Sequence, residues 1–280
     1  MKTSNKLLIS LAILLIAIPI IAVAINAKIN FKDRGIEDSY LGTQVINNET
    51  FEQKSKGRIT IPLQSPFHAI QIKDAKGFSI QLFVKKENNY GLKIPENAKN
   101  GLKFEVDANG VLQIIVNAES GTMTEKIPVV VYCPKISQVS ASNLGIFEFS
   151  VHADSITLNV DHAEDLFLSG AITNTDATGK TTEVTPTQIG KLYLTLNKAK
   201  FSGFTNGFKE LNLTANKSEI EIGNMDENNQ KPFSFDLLNI KTTDTSSVKL
   251  QNVSLKSFSA NFSDATTLQI PTPLLKQLFK

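Results

Sequence analysis

Tryptophan is absent, cysteine occurs once and neither charge sign dominates, and each shortage removes a class of function. With Cys133 as the single cysteine no disulfide can form within the chain, so stability has to come from burial and backbone pairing. Cys133 sits in Val129-Val130-Val131-Tyr132-Cys133, where a free thiol packs as a small hydrophobe. A nucleophile would need a His partner and a lowered pKa, and the neighbouring sequence suggests neither. Lys plus Arg number 29 against 27 Asp plus Glu, so there is no basic field to recruit nucleic acid. Seventeen Phe without a Trp suit repeated interior slots better than a sugar-stacking platform. No phosphate-binding Gly loop, dinucleotide fingerprint or Cys/His metal spacing is present. No catalytic, cofactor-binding or metal residue is therefore assigned, and no cofactor is expected.

What the chain does contain begins with one apolar run. Leu7 to Ile25 are almost all Leu, Ile, Ala and Val, broken only by Ser10 and Pro19. At helical rise this stretch just crosses a bilayer core, and in lipid it has to be helical. The membrane is thus the first expected partner, through residues 7–25. Residues 1–27 read as a signal anchor or transmembrane helix. The alternative is a cleaved secretory signal, for which Ala22-Val23-Ala24 supplies a small-residue cleavage pattern. The domain behind it is placed outside the cytoplasm, because a Thr/Asn-rich β-domain without a cofactor motif suits a periplasmic or cell-surface location. Residues 28–58, polar and carrying Asn47-Asn48-Glu49, read as a juxtamembrane stalk, and residues 59–280 as the head domain.

From Ile59 onward apolar residues alternate with polar ones: Ile59/Ile61/Leu63, Ile70/Ile72, Ile80/Leu82, Leu102/Phe104/Val106 and Leu112/Ile114/Val116. Period two with β-branched residues means strands with one buried face. Asn109-Gly110 between the last two runs marks a hairpin, so residues 59–132 are expected to be partly antiparallel. The second half repeats itself. Val139-Ser140-Ala141, Ile156-Thr157-Leu158, Leu192-Tyr193-Leu194, Leu211-Asn212-Leu213, Leu238-Asn239-Ile240 and Phe258-Ser259-Ala260 resemble one another. Their starts are separated by 17, 36, 19, 27 and 20 residues. A period of roughly 17–20 fits if one interval is about two units and another carries an insertion.

So short a unit cannot bury its own apolar face and has to stack on copies of itself. The fold expected is all-β, a right-handed parallel β-helix or solenoid after a partly antiparallel region, with a β-sandwich as the competing architecture. Asn143, Asp161, Asn197, Asn216, Asp244 and Asp264 are expected at the bends, and Asn and Thr columns in hydrogen-bonded ladders. The ten Phe from Phe147 to Phe262 are expected in the interior. Thr272-Pro273-Leu274-Leu275-Lys276-Gln277-Leu278-Phe279 reads as a short helix, N-capped by Thr272, that plugs the last rung.

Where these repeats meet Lys126-Ile127-Pro128-Val129-Val130-Val131-Tyr132-Cys133-Pro134-Lys135-Ile136, the chain resembles the adhesin-like head GIN-domain proteins of bacterial cell envelopes. Phe67-His68-Ala69-Ile70-Gln71-Ile72 and Asn109-Gly110-Val111-Leu112-Gln113-Ile114 extend the resemblance over roughly residues 60–270. The family's Gly-rich corners read here Ala141-Ser142-Asn143-Leu144-Gly145 and Ala215-Asn216-Lys217-Ser218. The resemblance implies a non-catalytic, adhesin-like or scaffolding role, with an envelope protein or a glycan as partner and self-association open. The enzymatic alternative is a polysaccharide-processing β-helix, which would need carboxylates paired across a groove. His152, Asp154, Asp161, His162, Glu164 and Asp165 are the one cluster with both imidazole and carboxylate groups, and turn residues on a solvated edge explain it as well as a metal would.

Overall fold

The computed structural model describes residues 15, 18–20, 50–55, 57–117, 126–170, 172–175, 181–185, 187–204, 207–223 and 232–278. The chain divides into two units, Met1–Thr43 and Gln44–Lys280. In the first, Leu15, Ile18, Pro19 and Ile20 are helical and exposed. The rest of the run expected to cross a membrane lies outside the described residues. Among the described residues no helix is long and apolar enough to do so.

The second unit is all-β and holds one mixed sheet of 15 strands among the described residues, with parallel and antiparallel pairs. Its N-terminal part grows as two branches. In one, β1 (Arg58–Pro62) pairs antiparallel with β4 (Gly91–Pro95), which pairs antiparallel with β7 (Lys126–Cys133). β7 then runs parallel to β3 (Ser79–Lys86), and β3 parallel to the long β8 (Gln138–Leu168). In the other, β5 (Leu102–Val106) and β6 (Val111–Val116) form the expected hairpin, and β6 runs parallel to β2 (Ala69–Ile72), which runs parallel to the start of β8. Of the two hairpin residues singled out, only Gly110 takes a positive φ, of 71°. The N–H of Gly110 donates to the Asp107 carbonyl at 3.0 Å, so the turn runs from Asp107 and closes on a left-handed glycine. Residues Thr50–Ser55, expected in the stalk, are held against this part of the sheet, with Phe51 buried.

From β8 onward the main pairings are parallel and follow sequence order. β8 lies beside β11 (Gln188–Gly203), whose two halves pair with β12 (Phe208–Asn216) and β13 (Glu219–Gly223). β12 continues to β14 (Phe233–Thr243) and β16 (Val253–Asn261), and β13 to β15 (Ser247–Gln251) and β17 (Thr267–Gln269). The inward positions read from the repeats lie in register: Ile156, Leu192, Leu211, Leu238 and Phe258 are neighbours on successive strands, and all are buried.

Two details of the repeat differ from expectation. The interval of 36 is not two units, because β11 pairs directly with β8. The extra length includes an antiparallel hairpin, β9 (Ile172–Thr175) with β10 (Thr181–Val184). The first interval also shifts. The N–H of Thr157 donates to the Ser137 carbonyl and Asn159 reaches Ser140, 19 residues back. This sets Gln138 beside Thr157 and Val139 beside Leu158, so β8 lies parallel on itself with the spacing that also separates Asn197 from Asn216.

One continuous apolar interior serves both parts and includes Leu82, Leu112, Val129, Phe149, Leu211 and Ile240. Phe147, Phe149, Phe201, Phe208, Phe235 and Phe258 are buried as expected, with Phe208 and Phe235 stacked at 4.9 Å. Phe167, Phe204, Phe233 and Phe262 are half-buried. After β17 comes a short helix, α1 (Thr272–Leu278). Leu274 is buried and Leu278 packs against the interior, while Phe279 lies outside the described residues. The Pro271 carbonyl accepts from the N–H groups of both Leu274 and Leu275. Pro271 therefore takes the N-cap place expected of Thr272.

Candidate functional site

Strand alternation sends every second residue of β8, β11, β12, β14 and β16 outward, and parallel register lines these residues up across the rungs. One outward row is Thr157, Tyr193, Asn212, Asn239 and Ser259. The Asn239 amide donates to Asn212 Oδ1 at 3.4 Å and the Ser259 hydroxyl to Asn239 Oδ1 at 3.2 Å. The next row is Asn159, Thr195, Thr214, Lys241 and Asn261, and Asn159 donates to Ser140 at 3.3 Å. All these outward residues are exposed or half-exposed, and Tyr193, at 44% exposure, is the large aromatic on them. Lys191 faces Glu210 at 3.1 Å in the row before, so that pair cancels its own charge. The result is a regular array, mostly of amides and hydroxyls with Tyr193 and Lys241 among them, spaced about 4.8 Å between strands and roughly 7 Å along a strand.

At its border the array ends in a tighter ladder. The Asn197 amide donates to Asp161, the Asn216 amide to Asn197 Oδ1 at 2.7 Å, and the Thr243 hydroxyl to Asn216 Oδ1 at 3.2 Å. An amide both donates and accepts, so such a column satisfies itself. The left-handed residues that turn the chain are Asn143, His162, Lys198, Lys217 and Asp244. Among the bend residues expected from sequence, Asn143 and Asp244 thus make the bend itself, whereas Asp161, Asn197 and Asn216 stand one residue earlier, in the ladder. Burial pushes the Asp161 carboxyl up, but hydrogen bonds from Asn197 and His162 outweigh it and hold the group below the usual range.

Beyond the bend, charged side chains brace one rung to the next. Lys249 donates to Glu221 at 2.5 Å, Lys200 lies 3.6 Å from Glu221 and 3.5 Å from Glu219, and Ser202 donates to Asp165 at 2.7 Å. Glu148 accepts from Ser169 at 2.8 Å and from Gln81. The bond from Lys249 holds Glu221 below its ordinary pKa, while burial pushes Asp165 above its own.

The cluster of imidazoles and carboxylates seen in the sequence is dispersed. His152 donates through Nε2 to the Thr185 carbonyl, His162 bonds Asp161 at 2.9 Å, and Asp165 belongs to the bracing band. Among the described residues no three His, Cys, Asp or Glu side chains gather as a metal site. Cys133 is buried, and burial pushes its thiol up to about 12, the opposite of what a nucleophile needs. An open cleft of about 550 Å³ lies beside the hairpin, lined by Phe67, His68, Tyr90, Asp107 and Gly110. Asp107 is engaged there by the N–H groups of Asn109 and Val111 and by the Gln113 amide, which shape the turn.

No family model and no curated protein matches the chain. Among solved structures it is similar to a candidate adhesin from Bacteroides fragilis NCTC 9343, at 12% identity and a TM-score of 0.42, over 77% of this chain and 97% of that one. A candidate adhesin from Parabacteroides merdae ATCC 43184 is similar at 14% identity and a TM-score of 0.40, over 76% and 92%. A candidate lipid-binding protein from Parabacteroides distasonis ATCC 8503 is similar at 12% identity and a TM-score of 0.33, over 77% and 94%. Likeness at this level assigns neither a ligand nor a site residue.

Proposed function

We propose that the protein is a non-catalytic recognition or scaffolding module of the cell envelope, in which coils from β8 to β17 form a solenoid. The residues 7–25 would hold it to the membrane, with the β-domain on the extracytoplasmic side. The observation that carries the non-catalytic reading is how its acids are used. Asp161, Asp165, Glu148 and Glu221 each bond a side chain on a neighbouring segment, and Asp107 shapes a turn. A glycoside-cleaving site needs two carboxylates facing a common groove, one of them to give up and recover a proton. The polar array supports recognition instead. Rows rich in amide and hydroxyl groups, with one standing tyrosine and a single lysine, Lys241, match the chemistry of a neutral glycan better than that of an apolar partner. The adhesin-like direction rests on the resemblance to the head GIN-domain proteins in Lys126–Ile136, Phe67–Ile72 and Asn109–Ile114.

The test is retention of the full chain on a panel of insoluble neutral polysaccharides, with reducing ends assayed in the same tubes. Retention on at least one, weakened about tenfold or more by Tyr193→Ala and by Asn212→Lys, is expected. Released reducing ends, or retention indifferent to both substitutions, would overturn the reading. Location is checked separately by protease treatment of spheroplasts, where a protected β-domain would exclude the extracytoplasmic placement.

A further inference from the structure

The alternation that sends Leu82, Val129, Val131 and Leu92 into the main interior sends Phe83, Val130, Tyr132 and Lys93 to the other side of β3, β7 and β4. On an uncovered sheet these would be wet. Here they are buried, because the segment Thr50–Ser55 lies over them. Phe51 joins Phe83, Val130 and Tyr132 in a small second core, its ring edge-on to Tyr132 at 5.5 Å. The ring sits so close over Gly91 that a Cβ there would fall 2.4 Å from its Cε2, so the glycine makes room for it.

The backbone of the segment is gripped as well. The Phe51 N–H donates to Glu87 at 3.0 Å. Lys93 is fully buried, and its ammonium donates to the Thr50 carbonyl at 2.7 Å, the Gln53 carbonyl at 2.5 Å and the Ser55 hydroxyl at 3.1 Å. It also lies 5.6 Å from the centre of the Tyr132 ring. A buried ammonium is tolerated only where its donors are met, and this segment meets three of them. The Phe51 pocket, the Glu87 acceptor and the Lys93 donor together hold a tight turn, which the Gln53 N–H closes on the Thr50 carbonyl at 3.3 Å.

We propose that the outer face of β3, β4 and β7 is a docking site for the chain's own segment 50–55, and that Phe51 and Lys93 close it as a clasp that holds or opens separately from the rest of the sheet. It rests on the proposed tether in one respect: in chain order a pull from residues 7–25 would meet the clasp before it reached β1.

The test is limited trypsin digestion of the full chain, with fragments mapped by mass. Lys54 has an exposed side chain, so protection of the bond after it reports the hold on its backbone. Cleavage after Lys54 is expected at least about tenfold slower than in a synthetic peptide spanning residues 48–60. Phe51→Ala and Lys93→Met should each remove most of that protection, Phe51→Leu much less. Cleavage after exposed Lys241 on β14 should stay unchanged in all three. Wild-type cleavage at the peptide's rate would overturn the clasp. So would loss of protection at Lys54 and Lys241 in parallel, which would make the segment part of the global folding unit. If the tether alone is wrong, the full chain fractionates away from membranes while Lys54 stays protected.

Discussion

Residues 58–133 pair antiparallel in one place and parallel in the next, and from Ile127 onward β7 is buried on both faces. The described residues of 138–270, apart from the β9–β10 hairpin, pair parallel, and β12, β14 and the first half of β11 keep one face in water. The difference lies in what each residue meets. In the parallel region a side chain meets its counterpart on the next strand, so a side chain that can bond its own kind, such as Asn, serves on each strand. In the N-terminal part Gln113, Gln71 and Ser140 line up in the branch through β6 and β2, but the outer face of β3, β4 and β7 is closed by a separate segment bearing Phe51 and by one buried ammonium. Parallel strands that depend on nearest neighbours are also expected to fail locally, whereas a region tied by both branches of the sheet is expected to fail as a whole.

The largest effects test that contrast. Leu211→Ala and Leu82→Ala each remove a fully buried side chain and should each cost about 2–5 kcal/mol in urea unfolding. Hydrogen exchange should separate them. Leu211→Ala should expose the amides of β12 to β17 while β3 and β7 remain protected, and Leu82→Ala should release all of them together. Identical exchange maps would mean one cooperative unit and would erase the distinction. A smaller contrast comes from glycines. Gly223 has φ +144° and a Cβ there would lie 1.7 Å from the Gln251 carbonyl, whereas Gly77 has φ +78° and open space. Gly77→Ala should cost about 1 kcal/mol, from backbone conformation alone. Gly223→Ala should cost clearly more, because β15 has to move as well. Equal melting temperatures would show that the coil yields more easily than its pairing suggests.

Smaller again is the ladder. Asn197→Ala removes the donor to Asp161 and the acceptor for Asn216, both partly buried, and should cost about 1–2 kcal/mol in thermal unfolding. Asn212→Ala, in the more exposed outward row, should cost less than about 0.5 kcal/mol. If the two were equal, the border ladder would be no more structural than the face beside it.

Much of this was legible in the residues. The inward column of Ile156, Leu192, Leu211, Leu238 and Phe258 follows from period two and a fixed recurrence, and so do the Asn and Thr ladders. The bend residues were placed one position early at Asp161, Asn197 and Asn216. Composition favours Asn or Asp in a left-handed turn, but Lys198 and Lys217 adopt it because the column before them is fixed by hydrogen bonds. The β9–β10 hairpin is indistinguishable by spacing from a second repeat, because an insertion of about one repeat's length leaves the same interval. β4 and the clasp were not anticipated. Lys93 lies between Leu92 and Ile94 and reads as an ordinary outward lysine on an alternating strand; its burial depends on a segment some 40 residues earlier in the chain. The outward polar face is legible only in part, since register and not composition sets Tyr193 between Thr157 and Asn212.

The smallest effect concerns acid, and it opposes two neighbours in the bracing band. Glu221 is held below its ordinary pKa, first by the bond from Lys249, so it lends stability that is complete above the unfolded value of about 4.3 and drains away as pH falls through the lower folded value. Asp165 is raised, chiefly by burial, so its sign is reversed: folding is favoured while it is protonated, and that advantage is lost as pH climbs past its folded value. Melting temperature followed from pH 6 down to pH 2 should therefore fall less steeply in Glu221→Gln than in the wild type, and more steeply in Asp165→Asn. The lysines are a third exposed, so 0.5 M salt should narrow both differences. Parallel curves for all three proteins would mean that the bracing charges add nothing. In that case the parallel region would be held by backbone pairing and apolar burial alone, and the contrast with the clasped N-terminal region would reduce to pairing geometry.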